Sequence, residues 1–352
     1  MAKDEKEIEP DCEPGTVHPR HNYALFGHLE AERALSEALA GPRPHHAWLI
    51  TGPKGVGKAT LAYRAARHLL GAKCSGPRPL DTNPTDPIAA KVAAKSHPDL
   101  LIIRRTADKK DKLRKEIVVE DARELGTFFS MRPAEGGWRV VIVDCVDELN
   151  RNAANALLKS LEEPPPQAIM LLICHAPGGA LVTLRSRCRR LSLSPLDVPQ
   201  MLQAFPGDPP HPIALRLANG APGRAIALQA SNAHELWEEM ARALKQVIQG
   251  ESMAFAALAS GRAPLMERFD LLILMVQDLA RAAAAPAGPE REMDAIADLG
   301  QRRVESLSWA IAWAELGRLR DQAHGLGLNP AHAIARIGIV LDSAFRQEQV
   351  SA

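Results

Sequence analysis

Gly52 to Lys58 read G-x-x-x-x-G-K, a spacing whose chemistry is phosphate binding. Glycines let successive backbone N–H groups close around an anion at a helix N-terminus, and the lysine adds a positive charge. Gly52, Gly55, Gly57 and Lys58 are therefore candidate nucleotide-binding residues. The pattern then calls for Ser or Thr, whose hydroxyl ligates magnesium, but Ala59 stands there. Thr60 comes one residue later, about 100° further round a helix, so it does not replace that hydroxyl. Phosphate binding is compatible with the loop, while magnesium–nucleotide binding is weakened.

Two further stretches belong to the same chemistry. In "VVIVDCVDEL" an apolar run ends in Asp144, the position from which a carboxylate meets a magnesium shell in P-loop enzymes. Hydrolytic versions often place a glutamate next to orient the attacking water, and here that residue is Cys145. Asp147 and Glu148 fall in the turn beyond, and neither is assigned as a base. "TLRSRCRRL" carries Arg185, Arg187, Arg189 and Arg190. Such arginines are either a solvated basic patch or the source of an arginine finger aimed at a neighbour's phosphate.

These residues need a scaffold, and the pattern predicts a parallel α/β one. "HHAWLITG", "PDLLIIRR", "WRVVIVD", "AIMLLICH" and "RLSLSPL" read as strands. "KATLAYRAARHLLG" reads as the helix after the loop, and "VEDARELGTFFSMRP" as a helix with Val119, Ala122, Leu125 and Phe129 near one face. "NRNAANALLKSLEEPPP" is a third, with Asn150 as N-cap and the prolines from Pro164 as its stop. "CSGPRPLDTNPTDP" reads as a loop. After Pro195 strand patterns fade, and helical periodicity continues through "FPGDPPHP", "ANGAPGRA" and "AAAAPAGPE".

Composition sets the outer bounds. The chain has 352 residues, enough for two or three domains, and its 46% hydrophobic and 24% charged residues suit a packed globular protein. Lys and Arg total 43 against 42 for Asp and Glu, so a nucleic-acid contact would have to be local. The one basic cluster, "RRTADKKDKLRK", is read first as a solvated hairpin and second as a phosphate contact. Five scattered cysteines give no C-x-x-C pair and no metal framework, and no zinc or other metal is expected. His45 and His46 are expected at the surface without a metal. No run is apolar enough to span a membrane, since "LLILMVQDLA" is cut by Gln277 and Asp278, and a cytoplasmic protein is expected.

"HHAWLITGPKGVGKATLA", "HPDLLII", "GGWRVVIVDCVDELNRNAANALLKSLEEPP", "LRSRC" and "GLNPAHAIARI" together resemble the bacterial clamp-loader family of AAA+ proteins, and within it the delta-prime line of DNA polymerase III subunits. The resemblance begins near Tyr23 and is loosest at the C-terminus. The charged, proline-containing segment 1–20 is expected to be a disordered extension. The resemblance implies an AAA+ P-loop α/β domain over 21–195. A small helical lid over 196–230 and a helical collar domain over 231–347 follow. It implies a hetero-oligomer with gamma/tau and delta subunits that places a sliding clamp on primer–template DNA within the replisome. It also implies that Arg187, in the "SRC" turn, serves as an arginine finger at a neighbouring ATP site.

The departures from the motor subunits of that family are as informative as the matches. Their hydroxyl after the lysine is Ala59, and their glutamate after Asp144 is Cys145. Cys174 and His175 stand where motors tend to carry the sensor 1 threonine, and Gly223 stands where a sensor 2 arginine is expected, with Arg224 one place off. Cys74 alone stands in the stretch that often carries a four-cysteine zinc module. The resemblance thus implies a non-hydrolysing subunit that requires no cofactor, with weakly or statically held ATP or ADP compatible with the loop. The alternatives are an active ATP-hydrolysing motor subunit of gamma/tau type, and a free-standing P-loop enzyme, which would leave "SRC" and "GLNP" unexplained.

Overall fold

The computed structural model describes residues 9–108, 110–135, 137–176, 181–251, 253–255, 265–284, 306–326 and 330–350. They fall into two compact units, Met1–Ala230 and Ser231–Ala352. In the first, five parallel strands form one sheet: β1 (Ala47–Thr51), β2 (Leu100–Arg104), β3 (Arg139–Asp144), β4 (Ala168–Cys174) and β5 (Arg189–Ser192). Their order is β2-β3-β4-β1-β5. The three inner strands are buried almost throughout, as strands covered on both faces of a parallel sheet must be. β5, at an edge, buries only Leu191.

Side chains alternate between two cores. Trp48, Ile50, Val140, Ile142, Leu171 and Ile173 face one side. There α1 (Leu29–Ala40), α2 (Lys58–Leu69) and α3 (Pro87–Ala93) cover them. Leu49, Val141, Val143, Met170 and Leu172 face the other. α4 (Val119–Ser130) and α5 (Arg151–Glu162) pack there. Asn150 caps α5 as expected, its side chain accepting from the Ala153 N–H at 2.9 Å. On α4 Phe129 packs half-buried against this core, and Phe128 is buried with its ring 4.7 Å beneath the Arg139 guanidinium. A one-turn α6 (Val182–Arg185) precedes β5.

The expected lid residues lie in this same unit as α7 (Val198–Gln203), α8 (Pro212–Ala218) and α9 (Pro222–Ala230), with a small core of Leu196, Met201, Ala218 and Ala225. The second unit, taken alone, is helical: α10 (Ala233–Ile248), α11 (Leu265–Ala284), α12 (Ser306–Leu326) and α13 (Pro330–Val350). α12 packs against both α11 and α13, burying Phe269, Trp309, Leu316, Ile337 and Leu341. Part of "AAAAPAGPE", and residues 327–329 of "GLNPAHAIARI", lie outside the described residues. No helix among the described residues is long and apolar enough to cross a membrane.

Two expectations need correction. Residues 1–8 of the extension lie outside the described residues, but 9–20 are packed on the first unit rather than disordered. A charged, proline-containing segment lacks apolar residues to bury, yet here its charges find partners. Asp11 pairs with Arg104 and lies 3.2 Å from His18 Nε2, while Glu13 reaches Lys54 at 2.9 Å. Burial alone would raise the Asp11 carboxyl, but His18 and Arg104 outweigh it and hold the group at about 2. His45 and His46 are half-buried and stacked 4.7 Å apart, and His46 Nε2 lies 3.1 Å from the Leu161 carbonyl.

The loop carrying Cys74 is held by ions. Glu32, fully buried on α1, accepts from Arg64 and, at 2.6 Å, from Arg78 Nε. Arg64 also reaches Asp81 at 2.6 Å, so two loop residues are tied to two helices. The basic "RRTADKKDKLRK" segment folds back through an Ala107–Leu113 bridge, and its first two arginines pair with Asp11 and Glu148.

Candidate nucleotide site and the Arg187 turn

Ligands in open α/β sheets gather at the carboxyl ends of the strands. Here the ends of β1, β3 and β4 open onto a cavity of about 390 Å³. The P-loop forms its floor, Asp144, Cys145 and His175 one wall, the 10–26 segment another, and Pro222, Gly223 and Ile226 the lid side. Of the candidate residues, Gly55, Gly57, Lys58 and Asp144 line this cavity, and Gly52 lies at the start of the same loop without lining it.

The glycines serve shape as well as any ligand. Gly52 has φ +149°, and a Cβ there would lie 2.3 Å from the Leu193 carbonyl oxygen. Gly55 has φ +80°, and a Cβ there would meet the Arg224 backbone nitrogen at 2.4 Å. The lid helix α9 docks against this bend, with the Gly223 N–H donating to the Gly55 carbonyl at 2.9 Å. A side chain at 223 would start 3.1 Å from that oxygen, so the position expected of a sensor arginine is filled by backbone contact instead. Gly57 is the N-cap of α2.

Lys58 is buried, and its ammonium donates to the carbonyls of Gly52 and Pro53 at 2.8 and 2.7 Å. Burial lowers it to about 8 against the pull of Asp144. Asp144 moves the opposite way. Burial, reinforced by Asp11, outweighs Lys58 and pushes its carboxyl up to about 8. A carboxyl that holds its proton near neutrality is a poor ligand for hydrated magnesium.

Candidate water-orienting groups are committed elsewhere. Cys145 is buried, and burial drives its thiol far above its usual range. Asp147 accepts from the Cys174 thiol at 3.0 Å and from the backbone N–H groups of His175 and Ala176. Glu148 pairs with Arg105 at 2.7 Å. His175, lowered to about 4 mainly by burial and next by Lys58, carries a neutral ring at ordinary pH. Asp147's role as the clasp joining the turn after β3 to the end of β4 was not anticipated. Its carboxylate sits two residues past Cys145, and only strand adjacency brings it to Cys174.

Arg187 does not line this cavity. It lies in the turn between α6 and β5, 35% exposed, with Nη2 2.6 Å from Glu162 Oε1 and Nη1 donating to the Thr183 carbonyl at 2.9 Å. Its neighbours are used differently, since Arg189 stacks over Trp48 at 4.8 Å and Arg190 Nε approaches Thr51 Oγ1 at 3.4 Å.

Comparisons with known proteins bear on this arrangement. A gamma-subunit-related protein of Thermotoga maritima matches at TM-score 0.40 and 16% identity, covering 90% of this chain and 99% of that one. Residues 27–197 match the family model described as DNA polymerase III, delta subunit. The tau subunit of Escherichia coli DNA polymerase III is 34% identical over 177 residues, 50% of this chain but 26% of that one. The delta-prime subunit of Yersinia pestis is 31% identical over 246 residues, and the match spans 64% of its length. That of Pseudomonas aeruginosa is 32% identical over 248 residues, 68% of this chain and 73% of that one. A likeness of that extent makes the chain a member of the DNA polymerase III delta-prime family.

Proposed function

We propose that this chain acts as a non-hydrolysing clamp-loader subunit that supplies Arg187 in trans to the ATP site of a neighbouring subunit. The observation that carries the reading is the position of Arg187. Its guanidinium stands outside the chain's own cavity, partly exposed, and is held by an exposed ion pair with Glu162 and a hydrogen bond to the Thr183 carbonyl. Exposed pairs are worth about 0–1 kcal/mol, so a phosphate on a neighbour competes easily for it.

The chain's own site supports the same reading from the other side. Ala59 lacks the magnesium hydroxyl, Asp144 tends to hold its proton, and Cys145 is a buried neutral thiol. Asp11, Glu13 and Glu148 line the cavity with further acidic groups, which disfavours a polyphosphate. The partners that follow are gamma/tau and delta subunits, the sliding clamp and primer–template DNA. A motor reading draws on Lys58 and on the likeness to tau, but it leaves the water-orienting position empty.

The deciding experiment rebuilds the loader around Arg187→Ala. Clamp- and DNA-stimulated ATP hydrolysis at the neighbouring site is expected to fall by about 10³-fold or more. Unchanged hydrolysis by the complex would remove the finger assignment. Turnover by the isolated chain with Mg-ATP, abolished by Lys58→Ala, would restore the motor reading.

A further inference from the structure

The corner beside the P-loop holds three side chains of metal-ligating type to which the Arg187 reading gives no task. Asp144 ends β3 and Cys145 follows it, while His175 follows β4. The strands are adjacent and parallel with Asp144 opposite Ile173, so their carboxyl ends emerge side by side. One ligand atom each from Asp144, Cys145 and His175 lies within 4.8 Å of the others. His175 Nδ1 is buried and has no hydrogen-bond partner, which is unusual for a ring nitrogen walled in by protein.

We propose that Asp144, Cys145 and His175 form a three-ligand site for a borderline-soft divalent cation, zinc above all, in the corner that magnesium occupies in ordinary P-loops. The donor set decides the metal. Magnesium wants an octahedron of oxygens, whereas a thiolate, an imidazole and a carboxylate suit zinc, cobalt or iron. Tetrahedral zinc with bonds of about 2.0–2.3 Å holds its ligand atoms roughly 3.3–3.8 Å apart, so closure asks for about 1 Å of side-chain movement. All three side chains line the cavity, which leaves a fourth position for water or an anion. The replacements at Ala59 and Cys145 then exchange a hard-ion site for a softer one.

The surroundings permit a cation. Lys58 faces the corner from α2, but its ammonium is held by the Gly52 and Pro53 carbonyls. Asp11 and Glu13 on the N-terminal segment and Asp147 and Glu148 after β3 supply negative charge around it. Asp147 also grips the backbone N–H of His175 and so fixes where its ring begins. The neutral imidazole has a lone pair to give, and both Asp144 and Cys145 must release their protons on binding. This site is independent of the Arg187 reading, and either can fail alone.

The test uses the full chain stripped with EDTA, titrated with zinc against a chromophoric chelator and with cobalt by absorption. One zinc per chain is expected, along with a cobalt spectrum of tetrahedral intensity carrying a thiolate charge-transfer band. Cys145→Ser should abolish that band, and His175→Ala should weaken zinc about tenfold or more. Cys74→Ser, at an exposed cysteine elsewhere, should change neither. Failure of the unmodified chain to bind zinc overturns the proposal without recourse to any variant. So does binding that Cys74→Ser removes and Cys145→Ser spares, or displacement of zinc by equimolar magnesium.

Discussion

Arg187 Nη2 lies 2.6 Å from Glu162 Oε1, so the arginine of the turn before β5 rests on the last residue of α5. Glu162 is itself about half exposed, and a pair in that setting orients more than it stabilises. Glu162→Ala is expected to shift the unfolding free energy in urea by less than about 1 kcal/mol. A loss of several kcal/mol would make the pair a structural lock, and Arg187 could not then be released to a neighbour.

Gly55 and Gly126 predict opposite signs for one substitution. Gly55→Ala adds a Cβ at φ +80° and 2.4 Å from the Arg224 nitrogen. It should cost about 1–3 kcal/mol and speed proteolysis within 196–230, because α9 loses its seat. Gly126→Ala, on exposed helix with open space around the new carbon, should stabilise by about 0.5–1 kcal/mol. Thermal unfolding of the two variants side by side checks both.

Asp11 ties the N-terminal segment down in a pH-dependent way. Its folded value, about 2, lies below the ordinary 3.8. Its contribution is therefore present above pH 3.8 and is lost as pH falls through about 2. Asp11→Asn should destabilise at neutral pH by on the order of 2 kcal/mol, and the gap from the unmodified chain should close toward pH 2. Urea titrations at neutral and acidic pH measure it, and a gap that does not change with pH would refute the pairing.

Glu32 is the keystone of the ion cluster that holds the Cys74 loop. Glu32→Gln removes the charge that Arg64 and Arg78 share, leaving Asp81 as the partner of Arg64, and is expected to cost about 1–3 kcal/mol. Calorimetry would report a lower Tm, while an unchanged Tm would mean that water already screens the cluster.

Much of this molecule was legible before its structure. Four of the five strands, β1 to β4, are apolar runs, and Asn150 announces α5 through its side-chain oxygen. The departure from the P-loop pattern could be read from Ala59 and Cys145 because it depends on what those residues are, not on where they go. Helical spacing places Phe129 on the core side of α4, where it is half-buried, but does not show that Phe128 is buried there as well. The N-terminal segment was misread because composition counts charges without seeing their partners.

The sequence by itself determined the local chemistry: a phosphate-shaped loop, a strand ending in an acid, no hydroxyl and no glutamate where hydrolysis wants them. Tertiary structure decided the pairings. The order β2-β3-β4-β1-β5 sets Asp144 and Cys145 beside His175, a neighbour 30 residues on in sequence, and gives Asp147 the end of β4 to hold. It also rests Arg187 on Glu162 and Gly223 on Gly55. Hydrophobic periodicity tells a strand which face to bury, but not which strand will lie next to it.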